Sequence, residues 1–256
     1  MPPGVGFGLN SRAGLFNGLV GVMAPDGATY AERVKHRPLT VGGQTWQTEF
    51  GVGRKLTGSN GVYTPTYRAW ADWELTTGPH SYAALVMLSS YSGTSGFAGN
   101  SNGANGYFVG QRYGDGTVYG AIGGGTISGS AGALRLNRPH VVAVTYDGAG
   151  TGRLWLDGAY VGQATSLTGT TWGDYCAPFL GSIIGLFGTL VGTAFWGALW
   201  GRELKRQELA EMAARPWSFW HADEGWAPEY VSASQPTFQA SWAANSNVVL
   251  NSAVLA

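Results

Sequence analysis

Two carboxylates one residue apart share a face of an extended strand, and Asp72-Trp73-Glu74 has that spacing. Retaining glycoside hydrolysis needs a pair of acids about 5 Å apart, one as nucleophile and one as general acid–base. No third acid follows at Thr76, and an ion-pair or edge-strand role is the stronger expectation for this pair. His36, His80, His140 and His221 stand singly, without zinc-ligand spacing and away from any serine-centred elbow. A single cysteine, Cys176, excludes an internal disulfide and every multi-cysteine metal site, and a buried apolar thiol is expected there. Catalysis is not expected, nor is a cofactor. The chemistry that remains is non-covalent. Aromatic faces stack on the C–H groups of sugars, and Tyr91, Phe97, Tyr107 and Tyr113 surround the glycine-rich stretch YSGTSGFAGNSNGANG. That stretch reads as a loop of about sixteen residues, longer than most connections in compact domains. These four residues are the candidate glycan contacts.

The composition narrows the classes further. Only 12% of residues are charged, against 44% apolar, and the charged share is about half that of ordinary soluble domains. Fifteen Lys plus Arg balance fifteen Asp plus Glu, so no basic field exists to hold phosphates, and nucleic acid is not expected as a direct partner. With 42 Gly, 11 Trp, 12 Tyr and 10 Phe, the chain reads as short aromatic strands joined by tight turns. The start, MPPGVGFGLNSR, has no basic residue followed by an apolar block. The expectation is a protein made and assembled in a cytoplasm.

The strands that position these residues are clearest between Arg138 and Gly162, RPHVVAVTYDGAGTGRLWLDGAYVG. Three runs, His140 to Tyr146, Arg153 to Leu156 and Ala159 to Gln163, are separated by Asp-Gly signals, the pattern of an antiparallel meander. The link Asp157-Gly158 favours a type I′ turn, in which both central residues have positive φ. Alternation places Val142, Val144 and Tyr146 on one side, and Leu154 and Leu156 share a side of the next strand. That sheet has an apolar face, and without crossover helices a second sheet is its expected cover. Upstream, Tyr82, Ala84, Val86 and Leu88 alternate in the same way. GYFVGQRYG and TVYGAIG form a hairpin turning at Asp115-Gly116.

The strand ending V-x-Y-D-G, the L-W-L-D-G that follows, and the downstream GALWGRELKRQEL and ARPWSFW resemble the laminin G/pentraxin/concanavalin A-like lectin and glucanase group. In particular they resemble its versions in structural proteins of tailed bacteriophages. The similarity runs from about Trp46 to Phe219 in order of elements and is specific from Arg138 onward. It implies an all-β, concanavalin A-like jelly-roll sandwich of two antiparallel sheets, with one short C-terminal helix and an extended C-terminal tail. Glucanases of the group carry an E-x-D-x-E motif that this chain lacks. Relatives often hold calcium with loop acids, here Asp115, Asp147, Asp157 and Asp174. Asp followed by Gly is chiefly turn chemistry, however, and calcium takes about 6 to 8 oxygens, so no metal site is expected.

From Tyr175 to Gly201 no residue is charged, and PFLGSIIGLFGTLVGTAFWGALW is long enough to span a membrane. Its recurrent glycines and its position in the resemblance favour buried strands, with Phe195, Trp196 and Trp200 in the core. A helix is expected from about Glu203 to Ala214, with Leu204, Leu209 and Met212 as its apolar stripe and Pro216 as its stop. The organisation read is 1–43 as an N-terminal arm and first strand, 44–220 as the sandwich, and 221–256 as linker and docking tail. Tail residues Phe238, Trp242, Val248, Val249, Leu250, Val254 and Leu255 are expected to dock onto another chain by strand addition. An extra strand on the chain's own domain is the alternative. The resulting expectation is a non-enzymatic virion protein of a tailed bacteriophage, a capsid decoration or tail-associated subunit. Its partners would be other virion proteins and copies of itself. The alternative is a carbohydrate-binding module for glycan adhesion.

Overall fold

The three runs of the meander fold as antiparallel neighbours, and residues on both sides of them complete a sandwich. The computed structural model describes residues 7–9, 14–26, 29–32, 34–35, 37–41, 44–48, 51–57, 62–63, 70–75, 77–91, 93–102, 105–169, 176–181, 188–217 and 220–222. The elements that carry the argument are β1 (Leu19–Asp26), β2 (His80–Leu88), β3 (Ser95–Ser101), β4 (Gly106–Arg112), β5 (Thr117–Ile122) and β6 (Gly125–Ser128). They continue with β7 (Pro139–Tyr146), β8 (Gly152–Leu156), β9 (Ala159–Ala164), β10 (Ala177–Leu180), β11 (Val191–Trp200) and the helix α1 (Arg206–Ala214). Among the described residues the larger sheet has ten strands, with the path β9-β8-β7-β2-β11-β1 continuing into Thr29–Glu32 and Arg37–Pro38. Gly51–Thr57 also pairs with the start of β11. The smaller sheet has eight strands, with the path β6-β5-β4-β3-β10 continuing into Val62–Tyr63 and Thr40–Val41. Pairing is antiparallel throughout both sheets except for Gly188–Thr189 against the start of β3. Segment 1–43 thus contributes β1 to the interior of the larger sheet, and Phe7–Leu9 pairs with Trp220–Ala222.

Alternation sets what each face buries. Tyr82, Ala84, Val86 and Leu88 of β2, Val142, Val144 and Tyr146 of β7, and Leu154 and Leu156 of β8 all join the core between the sheets. Their intervening neighbours Ala83, Leu85, Val141, Ala143 and Trp155 form a second core with Leu209, Met212 and Ala213 of α1. The larger sheet is therefore covered on both sides, by the smaller sheet and by the helix. This explains the uncharged run before Gly201, because β11 has no solvent face. Phe195, Trp196 and Trp200 are all buried, on the helix side. Trp196 Nε1 donates to Pro216 O at 3.0 Å and Trp200 Nε1 to Leu15 O at 2.6 Å. Truncating either indole to alanine costs about 3–5 kcal/mol. Among the described residues no helix is long and apolar enough to cross a membrane.

The helix begins later than expected, at Arg206. Glu208 accepts the Lys205 N–H at 2.8 Å and pairs with Arg202, which closes the first turn. A larger correction concerns YSGTSGFAGNSNGANG. Its central residues are β3, an inner strand buried along its whole length. Gly99 permits this, because a Cβ there would lie 2.2 Å from Tyr107 O on the neighbouring strand. The buried Asn100 side chain donates to Trp73 O at 3.1 Å. Only 89–94 and 102–105 remain as connections. Asp72-Trp73-Glu74 likewise lies at a 3-10 turn, Ala71–Trp73, and not on a strand.

His80 sits at the far end of the intersheet core, with Tyr82, Tyr107 and Tyr146 around its ring. Its Nδ1 donates to Gly78 O at 2.9 Å, while among the described residues its buried Nε2 has no hydrogen-bond partner. Burial pushes its pKa below the ordinary 6.5, against the smaller upward pull of the Gly78 carbonyl. The unfolded chain therefore binds the proton more readily. Stability is fully present above pH 6.5 and falls as pH drops below it, before the carboxylates titrate. Chemical denaturation across that window should show this slope for the natural protein and a flatter one for His80→Phe. Equal slopes would remove His80 as the cause.

Candidate functional site

Three connections meet at the opposite end of the sandwich: 89–94 between β2 and β3, 113–116 between β4 and β5, and 129–138 between β6 and β7. Backbone bonds tie them together. Gly132 N–H donates to Asp115 O at 2.9 Å, Leu134 N–H to Gly116 O at 3.0 Å, and Asn137 N–H to Leu88 O at 2.6 Å. Tyr91 closes the group, its hydroxyl donating to Leu134 O at 2.6 Å. Gln111, buried on β4, donates from Nε2 to Gly93 O at 2.9 Å.

Tyr113 protrudes from this cluster. The residue is 66% exposed, and its backbone is left-handed at φ 65°. That conformation costs a non-glycine residue about 1–2 kcal/mol. Adjacent strand residues point to opposite faces. The left-handed turn at Tyr113 suspends that rule and brings its ring within 4.5 Å of the Arg112 guanidinium carbon. Arg112 also lies 5.2 Å from the ring of Tyr119 on β5. Tyr119 packs on Phe108 at 5.3 Å in a small cluster on the outward face of the smaller sheet. Burial pushes the Tyr119 phenol upward, Arg112 pulling the other way, so it remains a neutral ring. The arrangement offers an exposed aromatic face beside a cation.

The four aromatics named from the sequence separate into two pairs. Tyr91 and Tyr113 do come to one end of the sandwich. Phe97 and Tyr107 are both wholly buried at 0% exposure, and neither ring offers a face to a sugar. Their inclusion followed from reading β3 as a loop. Phe238, Trp242, Val248, Val249, Leu250, Val254 and Leu255 lie outside the described residues, as does Asp174. Asp115 spends Oδ1 on the Thr117 N–H, and Asp147 spends Oδ1 on those of Ala149 and Thr151. Among the described residues no cluster of three or more His, Cys, Asp or Glu could hold a metal ion. Asp72 is gripped by Arg37 at 2.6 and 3.1 Å and by Lys35 at 3.1 Å. Burial raises its pKa, but these donors outweigh it and hold the carboxyl below its usual range.

Arg112, Gln111 and Arg135 were not singled out in the sequence, and His140 and Asp157 appeared there as a single histidine and a turn residue. Leu134 is followed by Arg135, whose N–H donates to His140 Nε2 at 2.9 Å. An Nε2 that accepts leaves the proton on Nδ1, which bonds Asp157 Oδ2 at 2.8 Å. Asp157 Oδ1 accepts the Val141 N–H at 3.0 Å. The expected turn is present, with φ 51° at Asp157 and 77° at Gly158. A Cβ at Gly158 would lie 2.9 Å from Ala210 Cα, so the turn rests directly on α1. Asp157 is thus both a turn residue and the base of a brace running through His140 to the loop that holds Tyr91.

Comparison with known proteins gives a fold likeness. No family model matches the chain, and no curated protein matches it. Among solved structures, Trypanosoma rangeli sialidase in complex with sialic acid aligns with TM-score 0.60 at 17% identity, over 78% of this chain and 33% of the sialidase. Domain 4 of AbnA, an extracellular arabinanase from Geobacillus stearothermophilus in complex with arabinotriose, aligns with TM-score 0.58 at 13% identity, over 76% of this chain and 98% of that domain. The binding domain of botulinum neurotoxin DC in complex with SialylT aligns with TM-score 0.56 at 11% identity, over 77% of this chain and 51% of that one. The chain therefore spans about a third of the sialidase and about half of the toxin domain.

The brace makes a sharp demand on Asp157, which must accept from two donors at once. Asn suits left-handed backbone at least as well as Asp, so Asp157→Asn spares the turn. Its amide still sets a donor against either the Val141 N–H or His140 Nδ1. The second case forces the other tautomer and turns an Nε2–H toward the Arg135 N–H. We expect a loss of about 2 kcal/mol with faster amide exchange at Arg135 and Leu134. Unchanged exchange at those amides would show that the loop does not depend on the pair.

Proposed function

We propose that this chain is a non-enzymatic, carbohydrate-binding β-sandwich of the laminin G/pentraxin/concanavalin A-like kind, which contacts sugar through Tyr113 and its surroundings. The observation that carries the reading is the exposed Tyr113 ring, held on strained backbone by three mutually bonded loops. A residue kept at a conformational cost in a braced position is one whose side chain is used. The likeness in fold to an arabinanase domain solved with arabinotriose and to a toxin binding domain solved with SialylT supports it. The non-enzymatic part is supported by Asp72, whose carboxylate is engaged by Arg37 and Lys35.

Tyr113→Gly separates binding from folding. Glycine relieves the left-handed strain, and little buried surface is lost, so the melting temperature should hold or rise. Binding on a glycan array should disappear. A variant that binds as well as the natural protein removes Tyr113 from the site.

The setting we propose is the surface of a tailed-bacteriophage virion, with 221–256 as the attachment segment. It is favoured by the resemblance around Arg138–Gly162 and by the apolar sequence VVLNSAVLA at 248–256. Deleting 237–256 should then abolish incorporation into particles while leaving the sandwich's thermal transition in place. Normal incorporation of the truncated chain ends that reading.

A further inference from the structure

Arg112 is half-buried, with its guanidinium carbon over the rings of Tyr113 and Tyr119. Among the described residues it makes no hydrogen bond or ion pair. Three other partly buried arginines are matched: Arg37 with Asp72, Arg153 with Glu203, Arg202 with Glu208. The acid three residues along, Asp115, is committed to Thr117 through Oδ1. Stacking on aromatic rings engages the face of a guanidinium and leaves the N–H groups at its edge available. Those groups form a planar fork that fits a carboxylate with two parallel hydrogen bonds. The fork lies beside the most exposed aromatic ring of the described residues, that of Tyr113.

Building on the sugar-binding reading of this site, we propose that its ligand is an acidic saccharide, whose carboxylate is held by Arg112 while a ring face stacks on Tyr113. Two tyrosine faces hold the guanidinium in place before the ligand arrives, so less side-chain freedom is lost on binding. A sulfate ester also spans the fork, but its oxygens are less basic than those of a carboxylate and accept weaker hydrogen bonds. The tyrosines also make lysine a poor replacement, since an ammonium lacks both the flat face and the fork.

The test uses the full chain and soluble oligosaccharides in matched sets: one bearing a uronic or sialic acid, one with that carboxyl methyl-esterified, and one carrying a sulfate ester instead. The acidic form should bind and the ester should lose about 10- to 100-fold. Arg112→Gln should bind the acidic form as weakly as the natural protein binds the ester, and Arg112→Lys should recover only part. Raising the salt should weaken the carboxylate and sulfate forms and leave the methyl ester unchanged. Equal binding of acid and ester, undisturbed by Arg112→Gln, overturns this proposal and leaves the sugar-binding reading standing. Sulfate esters bound as tightly as carboxylates overturn the carboxylate match. No binding of any member by the natural protein removes the sugar-binding reading itself.

Discussion

A sheet that is apolar on both faces must be covered twice, and the rest of this molecule follows from how that is done. In β11, Ala194 and Leu199 face the smaller sheet, while Trp196, Ala198 and Trp200 face the helix. A slip of one residue would exchange these two sets, so the register against β2 and β1 is strongly specified. The irregularity between Ala194 and Trp196 lets Phe195 and Trp196 both join the helix side. The cover is pinned by the strand it covers, since the two indole N–H groups bind Leu15, in the 3-10 turn Gly14–Phe16, and Pro216, just past the end of α1.

Rigidity passes outward from that centre. Gly158 lies against α1, so the turn that carries Asp157 is fixed to the helix, and Asp157 in turn fixes His140 and the 129–138 loop. The same loop accepts the Tyr91 hydroxyl and donates to Gly116, just past Tyr113. Sugar recognition yields little free energy per contact, and ordering a mobile loop would consume much of it. On the proposed reading, a platform braced before the ligand arrives avoids that loss. The proposed stacking role of Tyr113 would also account for a tyrosine where a turn favours glycine or asparagine.

Much of the scaffold was legible in the sequence, and the reason is physical. The meander, the Asp157-Gly158 turn and the inward sets on β2, β7 and β8 follow from alternation and turn chemistry, which act locally. The inner strand β3 did not follow, because glycine, serine and asparagine signal a loop until a neighbouring backbone closes to the distance that Gly99 allows. That single misreading carried Phe97 and Tyr107 to the surface. The Asp157–His140–Arg135 brace joins residues whose partnership depends on register and tautomer, and Asp-Gly alone suggested only a turn. Arg112 was less visible still. What distinguishes it is the partner it lacks, and its contact with Tyr113 exists because a left-handed residue breaks strand alternation.

The neutral charge balance bears on how such a site discriminates. With equal numbers of acidic and basic residues there is no long-range field to gather anionic ligands. Selection then has to occur on contact, within the reach of one oriented guanidinium and one ring. A single contact of that size gives modest affinity, and a module built this way gains strength by presentation in several copies on one surface. Effective concentration then replaces additional contacts. On the proposed reading, multiplicity on a particle and a small, rigid, charge-selective site would be complementary solutions to one problem, and the braced loops at the end of this sandwich supply the rigidity that the second requires.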